Sequence, residues 1–378
     1  MRIICKKSNL VKGVSIVSKA VPSKTTMPIL ECILIDATSD FIKLTANDLE
    51  LGIETMIEGE IKERGMVAID ARIFSDIVKK LPDSEVQIRT EKTIGTEEEL
   101  VQTFIRCEQT NFSIPSKRGE EFSFLPFIEK KDSITISEFT LKEIIKQTIF
   151  SISQNDNNPI LKGELFEISE DGSTLRVVSL DSHRISVRRT ALKDSYSPRK
   201  VIVPGKTLIE INKIIPGETE ADVVISFSNN HILFEFGRTI VLSRLIEGNY
   251  FAIDKMLSKD YNLKFEVNKK ELTECIDRST LLIKEGEKKP VILEIADDNL
   301  KISVNSQMGH MEENVGIVKE GKDIMIGFNP RFLMDALRVF DEETVTFYMT
   351  NSKATCFIKD EGESYIYLIL PVNIIGNN

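Results

Sequence analysis

Apolar positions return along the chain in one compound pattern, and the pattern occurs three times. In the stretch from Lys200 to Phe227, Val201, Ile202 and Val203 predict a strand. Pro204 then opens a helix in which Leu208, Ile211 and Ile215 recur at helical spacing. Pro216-Gly217 stops that helix before a second strand, Val223 to Phe227. Met66 to Ile88 and Asp323 to Met349 read the same way. Phe74 with Leu81, Leu208 with Ile215, and Leu333 with Phe340 each stand seven residues apart, two helical turns, so both members of a pair face one core.

A second helix precedes each of these units. Leu10, Leu141 and Leu272 are separated by 131 residues each time, and Val14, Ile145 and Ile276 keep the same interval. An interval held twice reads as triplication. After each first helix comes strand-rich sequence with alternating apolar and polar positions, turning at Ser39-Asp40, Asp171-Gly172 and Asp297-Asp298. The fold expected is therefore α+β, with three repeats near 1–128, 129–258 and 259–378, each built of antiparallel sheets around two helices. The first residues, MRIICKKSNL, read as a strand rather than as a signal peptide.

Composition adds little to this picture but excludes several classes. The 378 residues are 41% hydrophobic and 29% charged, without Trp and without an apolar run long enough to span a bilayer. A cytoplasmic protein is expected. Five cysteines (Cys5, Cys32, Cys107, Cys275, Cys356) are scattered with no CxxC pair, which favours buried free thiols. His183, His231 and His310 lie far apart without ligand spacing, so no metal or other cofactor is expected.

Charge changes the picture more. The net charge of −10 argues at first against nucleic acid, yet the six repeated helical stretches together carry +7 and the remainder −17. Lysines that merely keep helices soluble would give part of this division. Segregation is the sharper reading: strands form an acidic outer wall, and Lys12, Lys79, Lys80, Lys142, Lys146, Lys206, Lys213, Arg331 and Arg338 line a basic concave surface, joined by Lys24. Long flexible cations suit phosphates without reading bases, and no aromatic platform for single strands is evident, so a duplex backbone is the expected target.

Family resemblance becomes specific at Pro28-Ile29-Leu30, Leu44-Thr45 and Asn47-Asp48-Leu49-Glu50, and continues through PILKGELFEI, LDSHRISV, KVIVPGK, SRLIEGNY and YLILPVNI. Over essentially its whole length the chain resembles the bacterial DNA polymerase III beta subunit, the sliding-clamp family. That resemblance implies three clamp domains per chain and a ring closed by a homodimer, with twelve helices around double-stranded DNA and sheets outside. It implies a non-catalytic processivity factor that tethers the replicative DNA polymerase, the clamp loader and other clamp-motif proteins. It also implies dimer edges at Phe112 and Ile114 in the first repeat and at Leu281 and Leu282 in the third.

The family's partner-peptide groove maps onto Leu161, Leu180, His183, Arg184, Ile185, Met256, Leu368, Leu370, Pro371 and Val372, an apolar set of the kind a peptide groove needs. The chain departs from the family pattern at Leu180, Ser182, Phe251 and Asn373, and Ile375 to Asn378 extend past the common end. Read from the residues alone, His183-Arg184 is a locally bonded strand-end pair, and Leu368 to Val372 a terminal core strand whose alternate residues serve core and groove.

Two enzyme readings fail on spacing. Asp181-Ser182-His183 contains the three residue types of a hydrolase triad, but consecutive strand residues point to opposite faces and cannot converge. Gly205-Lys206-Thr207 resembles the end of a phosphate loop, but the position that needs the first glycine is Lys200. A three-repeat scaffold that binds only proteins shares the fold, without needing basic helices.

Overall fold

The computed structural model describes residues 1–92, 101–130, 132–153, 156–257, 260–284, 286–287 and 289–374. The first repeat holds β1 (Arg2–Lys6), α1 (Lys7–Val17), β2 (Cys32–Asp36), β3 (Ile42–Asn47), β4 (Leu51–Ile57), β5 (Glu60–Glu63), β6 (Met66–Asp70), α2 (Ala71–Lys80), β7 (Glu85–Lys92), β8 (Val101–Cys107) and β9 (Thr110–Arg118). The second holds β10 (Asp132–Ser137), α3 (Glu138–Thr148), β11 (Gly163–Ile168), β12 (Thr174–Leu180), β13 (Arg184–Ala191), β14 (Arg199–Pro204), α4 (Gly205–Ile214), β15 (Asp222–Phe227), β16 (His231–Phe236) and β17 (Thr239–Arg244). The third holds β18 (Leu263–Asn268), α5 (Lys269–Thr280), β19 (Val291–Ala296), β20 (Asn299–Ser306), β21 (Gly309–Gly321), β22 (Ile324–Phe328), α6 (Pro330–Leu337), β23 (Thr344–Met349), β24 (Cys356–Lys359) and β25 (Tyr365–Ile369).

The chain divides into two compact units, Met1–Leu141 with Ile209–Leu245, and Lys142–Leu208 with Ile246–Asn378. The division cuts through the middle repeat because hydrogen-bonded sheets run on from one repeat into the next. In the first unit β17 pairs antiparallel with β4, Thr239 opposite Thr55 and Ser243 opposite Leu51. The two threonine hydroxyls meet in this buried seam at 2.9 Å. In the second unit β13 pairs antiparallel with β25, Arg184 opposite Ile369 and Arg188 opposite Tyr365.

The periodicities that predicted the elements are the ones that pack them. Leu10, Leu141, Leu272, Val14, Ile145 and Ile276 are all buried, as are the six members of the seven-residue pairs. The second helices end earlier than their apolar spacing suggested, at Lys80, Ile214 and Leu337. Leu81 and Ile215 each precede a proline, which disfavours helical backbone at the residue before it. Near Phe340 the chain instead tightens into a turn, Val339 N–H donating to Ala336 O at 3.1 Å. Pro204 likewise ends β14 instead of opening α4, whereas Pro330 occupies the first turn of α6.

Local caps set the helix starts. The side chains of Asp70, Asn268 and Asn329 accept from Ile73, Glu271 and Arg331 N–H at 2.8, 3.0 and 3.0 Å, satisfying donors that a helix terminus leaves open. Gly13 lets α1 lie close on its sheet: a Cβ there would stand 2.5 Å from Ile57 Cγ2. All five cysteines are free and buried, and burial pushes the Cys5 and Cys275 thiols up to about 12 and Cys32 up to about 11. No helix among the described residues is long and apolar enough to cross a membrane.

Candidate functional site

In the second unit, β12, β13, β25 and β24 place Leu180 opposite Ile185, Ile185 opposite Leu368 and Leu368 opposite Phe357, a continuous apolar row. Val178, Val187 and Ile366 form the next row. Leu161, Tyr250, Ile253 and Leu257 pack on this face, and the Tyr250 hydroxyl donates to Val178 O at 3.2 Å. The opposite face of β25 carries Tyr365, Tyr367 and Ile369 into the third repeat's core. One strand thus serves both core and surface cluster, as alternation allows.

Exposed apolar groups adjoin these residues in sequence: Phe251 beside Tyr250 is 40% exposed, Met256 beside Leu257 is 52% exposed, and Leu370 just past β25 is 40% exposed. Past β25 the chain is tied down twice. Leu370 N–H donates to His183 O at 2.8 Å and Val372 N–H to Gly327 O at 2.8 Å. Pro371 and Val372 are half-buried and Asn373 is exposed. Ile375 to Asn378 lie outside the described residues.

Arg184 is held by the fold on several sides. It is buried; its Nε donates to Asp181 at 3.0 Å, Nη1 to Asp335 at 2.6 Å, and Nη2 to Phe150 O. Its guanidinium also lies 4.2 Å from the Phe332 ring centroid. Paired on two sides and stacked, it fixes β13 against α6. His183 is exposed, with its ring 5.9 Å from Phe332. The Asp181 carboxylate accepts from His183 N–H, Arg184 N–H and Arg184 Nε, forming a turn and not a triad. Phe150, Phe332 and Asp335 had no signal in sequence, since Asp335 stands 151 residues from Arg184.

Of the expected DNA-contacting residues, Lys12, Lys24, Lys79, Lys80, Lys206, Lys213, Arg331 and Arg338 are exposed, while Lys142 and Lys146 are half-buried. In the first unit Lys12 and Lys213 line one cleft of about 660 Å³ together with Lys7 and Lys19, opposed by Asp83 alone. Lys146 and Lys213 are partly neutralised within their own helices, by Glu143 at 3.4 Å and by Glu210 at 2.8 Å. Lys7 and Lys19 carried no periodic signal in sequence: Lys19 lies beyond the end of α1, and Lys7 is five residues from Lys12, off the helical period.

The expected dimer edges sit on partly exposed surface. Phe112 and Ile114 on β9 are half-buried, Leu281 after α5 is 74% exposed, and Leu282 packs partly on the third-repeat core. No cluster of His, Cys, Asp and Glu that could hold a metal occurs among the described residues.

Family models of the DNA polymerase III beta subunit match the chain three times: the N-terminal domain over residues 1–126, the central domain over 135–251 and the C-terminal domain over 254–373. A beta sliding clamp of Staphylococcus aureus is 33% identical, covering 98% of this chain and 99% of that one. A protein of Eubacterium rectale, assigned as a DNA polymerase III beta subunit, superposes with a TM-score of 0.93 at 59% identity, over 99% and 100% of the two chains. The DNA polymerase sliding clamp of Bacillus subtilis superposes with a TM-score of 0.92 at 32% identity, over 99% of each chain. With three successive domain matches and relatives alike from end to end, the chain belongs to the DNA polymerase III beta subunit family, the bacterial sliding clamps.

Proposed function

We propose that the chain works as a DNA sliding clamp: two copies close into a ring around duplex DNA, and the ring tethers the replicative polymerase, the clamp loader and other partners that carry a short apolar motif. It is a non-catalytic subunit; its contribution is topological. In this reading the three domains fall near 1–128, 129–258 and 259–378.

The observation that carries ring closure is a seam made twice from equivalent strands. The third strand after the first helix (β4, then β13) pairs with the last strand of the next repeat (β17, then β25). By that rule β21 of the third repeat and β9 of the first still need partners. Among the described residues β9 pairs over 110–116 only with β8, and β21 over 309–316 only with β20. A second copy supplies both: β21 of one chain against β9 of the other, twice, leaves neither of these two strands unpaired. Phe112 and Ile114 lie on one of these strands.

The basic helices are then the lining, and their lysines contact phosphates without reading sequence. The apolar row Leu180–Ile185–Leu368 with Leu161, Met256 and Leu370 is the partner groove, with Arg184 as its buttress. The test is retention on DNA. A clamp loaded on a closed circle stays through a salt wash and slides off once the circle is cut. Equal retention on circular and linear DNA would favour the protein-binding scaffold instead.

A further inference from the structure

We propose that Gly327 is a positioning residue for the carboxyl-terminal wall of the partner groove: by lacking a side chain it lets the tail after β25 lie against β22. The role in partner binding rests on the groove reading above, while the strap itself does not. Gly327 sits on β22, the last strand in its sheet, paired on one side with β19 through Ile292. On its other side the carbonyl of Gly327 accepts from Val372 N–H at 2.8 Å, an isolated bridge. A Cβ at Gly327 would stand 2.5 Å from Ile374 Cγ2, 3.2 Å from Val372 O and 3.3 Å from Pro290 Cβ. The backbone there is not left-handed. Space and not dihedral strain is what demands glycine.

The consequence reaches the groove through three residues of chain, Leu370 to Val372. Leu370 is hung on His183 O, Val372 on Gly327 O, and Pro371 is held between the two. A tail fastened at His183 alone would let Pro371 and Val372 swing beyond Leu370, and the groove would have to order them each time a peptide bound. Fastening at Gly327 removes that entropic cost in advance. The same bridge also covers an edge strand that would otherwise present bare hydrogen-bonding groups.

The test uses the full chain and three variants: Gly327→Ala, Ile374→Ala, and both together. Two quantities are read, hydrogen exchange of the Val372 amide and affinity for a fluorescein-labelled peptide with adjacent Leu and Phe anchors. Gly327→Ala should free the Val372 amide and weaken the peptide by about tenfold. Adding Ile374→Ala removes the atom that clashes and should restore both, with the same result if the single variant fails to fold and the double variant folds. Unchanged protection of Val372 in Gly327→Ala overturns the strap, as does failure of the double variant to recover. If the amide is freed while peptide affinity stays at the wild-type value, the positioning role falls, whereas loss of peptide binding by the wild-type chain itself would count against the groove reading.

Discussion

Lys269 Nζ donates to the carbonyl oxygen of Phe340 at 2.6 Å, and Lys7 makes the equivalent bond to Leu81 O. Each lysine is the first residue of its repeat's first helix, and each acceptor lies just beyond the second helix, where carbonyls lack helical partners. One charged bond therefore ties the two helices of a repeat together and sits favourably at the negative end of the second. The middle repeat has Glu138 at that position, which cannot donate; it is buried and accepts from Thr219 Oγ1 at 3.2 Å. Lys269→Met, which keeps the stem and removes the donor, should cost about 1–2 kcal/mol. A shifted urea midpoint with unchanged slope would register it, and an unmoved midpoint would count against the cap.

A second prediction concerns Glu164, fully buried beneath α3. Thr148 Oγ1 donates to its Oε2 at 3.0 Å, and Oε1 has no partner among the described residues. Burial holds its carboxyl well above the ordinary value of 4.5, the Thr148 bond only partly opposing this. The folded chain thus keeps the proton to higher pH than the unfolded chain does. Between the two pKa values the folded state binds more protons, so stability falls as pH rises through that window. Glu164→Gln should flatten this dependence, gaining on the order of 1 kcal/mol or more near pH 8 and less near pH 5. Thermal melts of both chains across that range decide it; an equal difference at both ends would refute it.

The helices and the core were legible because packing is periodic: Leu10, Leu141 and Leu272 recur at one interval and are all buried. What joins repeats was not. No local pattern links Thr55 to Thr239 or Ile185 to Leu368, pairings between strands far apart in sequence. The residues expected to form a groove came from resemblance; of them Leu180, Ile185 and Leu368 stand in one apolar row, with Leu161 packed on it. Arg184 shows what a local pattern leaves out. Its position was legible, but its engagement with Asp335, Phe150 and Phe332 depends on side chains brought in by α6 and the turn after α3.

The third prediction is that DNA binding is nonspecific and salt-sensitive. Neutralising Lys79, Lys80, Lys206 and Lys213 together should weaken binding alike for unrelated sequences and lower the salt slope by about one for each phosphate no longer neutralised. Lys12 should behave like Lys213, since both line one cleft. Titrations of several duplexes at varied salt measure the slopes. A weakening confined to one sequence would mean base readout.

The fourth is that charge at the third repeat's edge opens the ring. Leu281→Asp with Leu282→Asp should give monomers that circular DNA no longer retains, because two buried carboxylates per interface lack partners. Leu281 is exposed in the single chain, so Leu281→Asp alone should leave the melting temperature of the monomer little altered, whereas Leu282→Asp, which meets the third-repeat core, should lower it. Mass in solution reads the outcome, and an intact dimer of the variant would reassign the interface.

The last prediction is made at the groove, where stability and binding can be separated residue by residue. Leu368 and Ile185 lie under the surface and also hold β13 to β25, so truncating either would confound folding with recognition. Leu370 is different: 40% of it is exposed, and its link to the fold is a backbone bond to His183 O that survives loss of the side chain. Leu370→Ala should therefore leave melting and dimer mass within error while weakening an apolar-anchored peptide by about 1–2 kcal/mol, five- to thirtyfold. Removing residues 370–378 should go further and abolish peptide binding, with DNA retention largely kept. Because two grooves occur per dimer, a partner carrying two motifs should lose more than a single peptide does, the second engagement being intramolecular. Calorimetry with the single peptide and with a tandem version measures both effects. Full peptide affinity in the truncated chain would place the groove elsewhere.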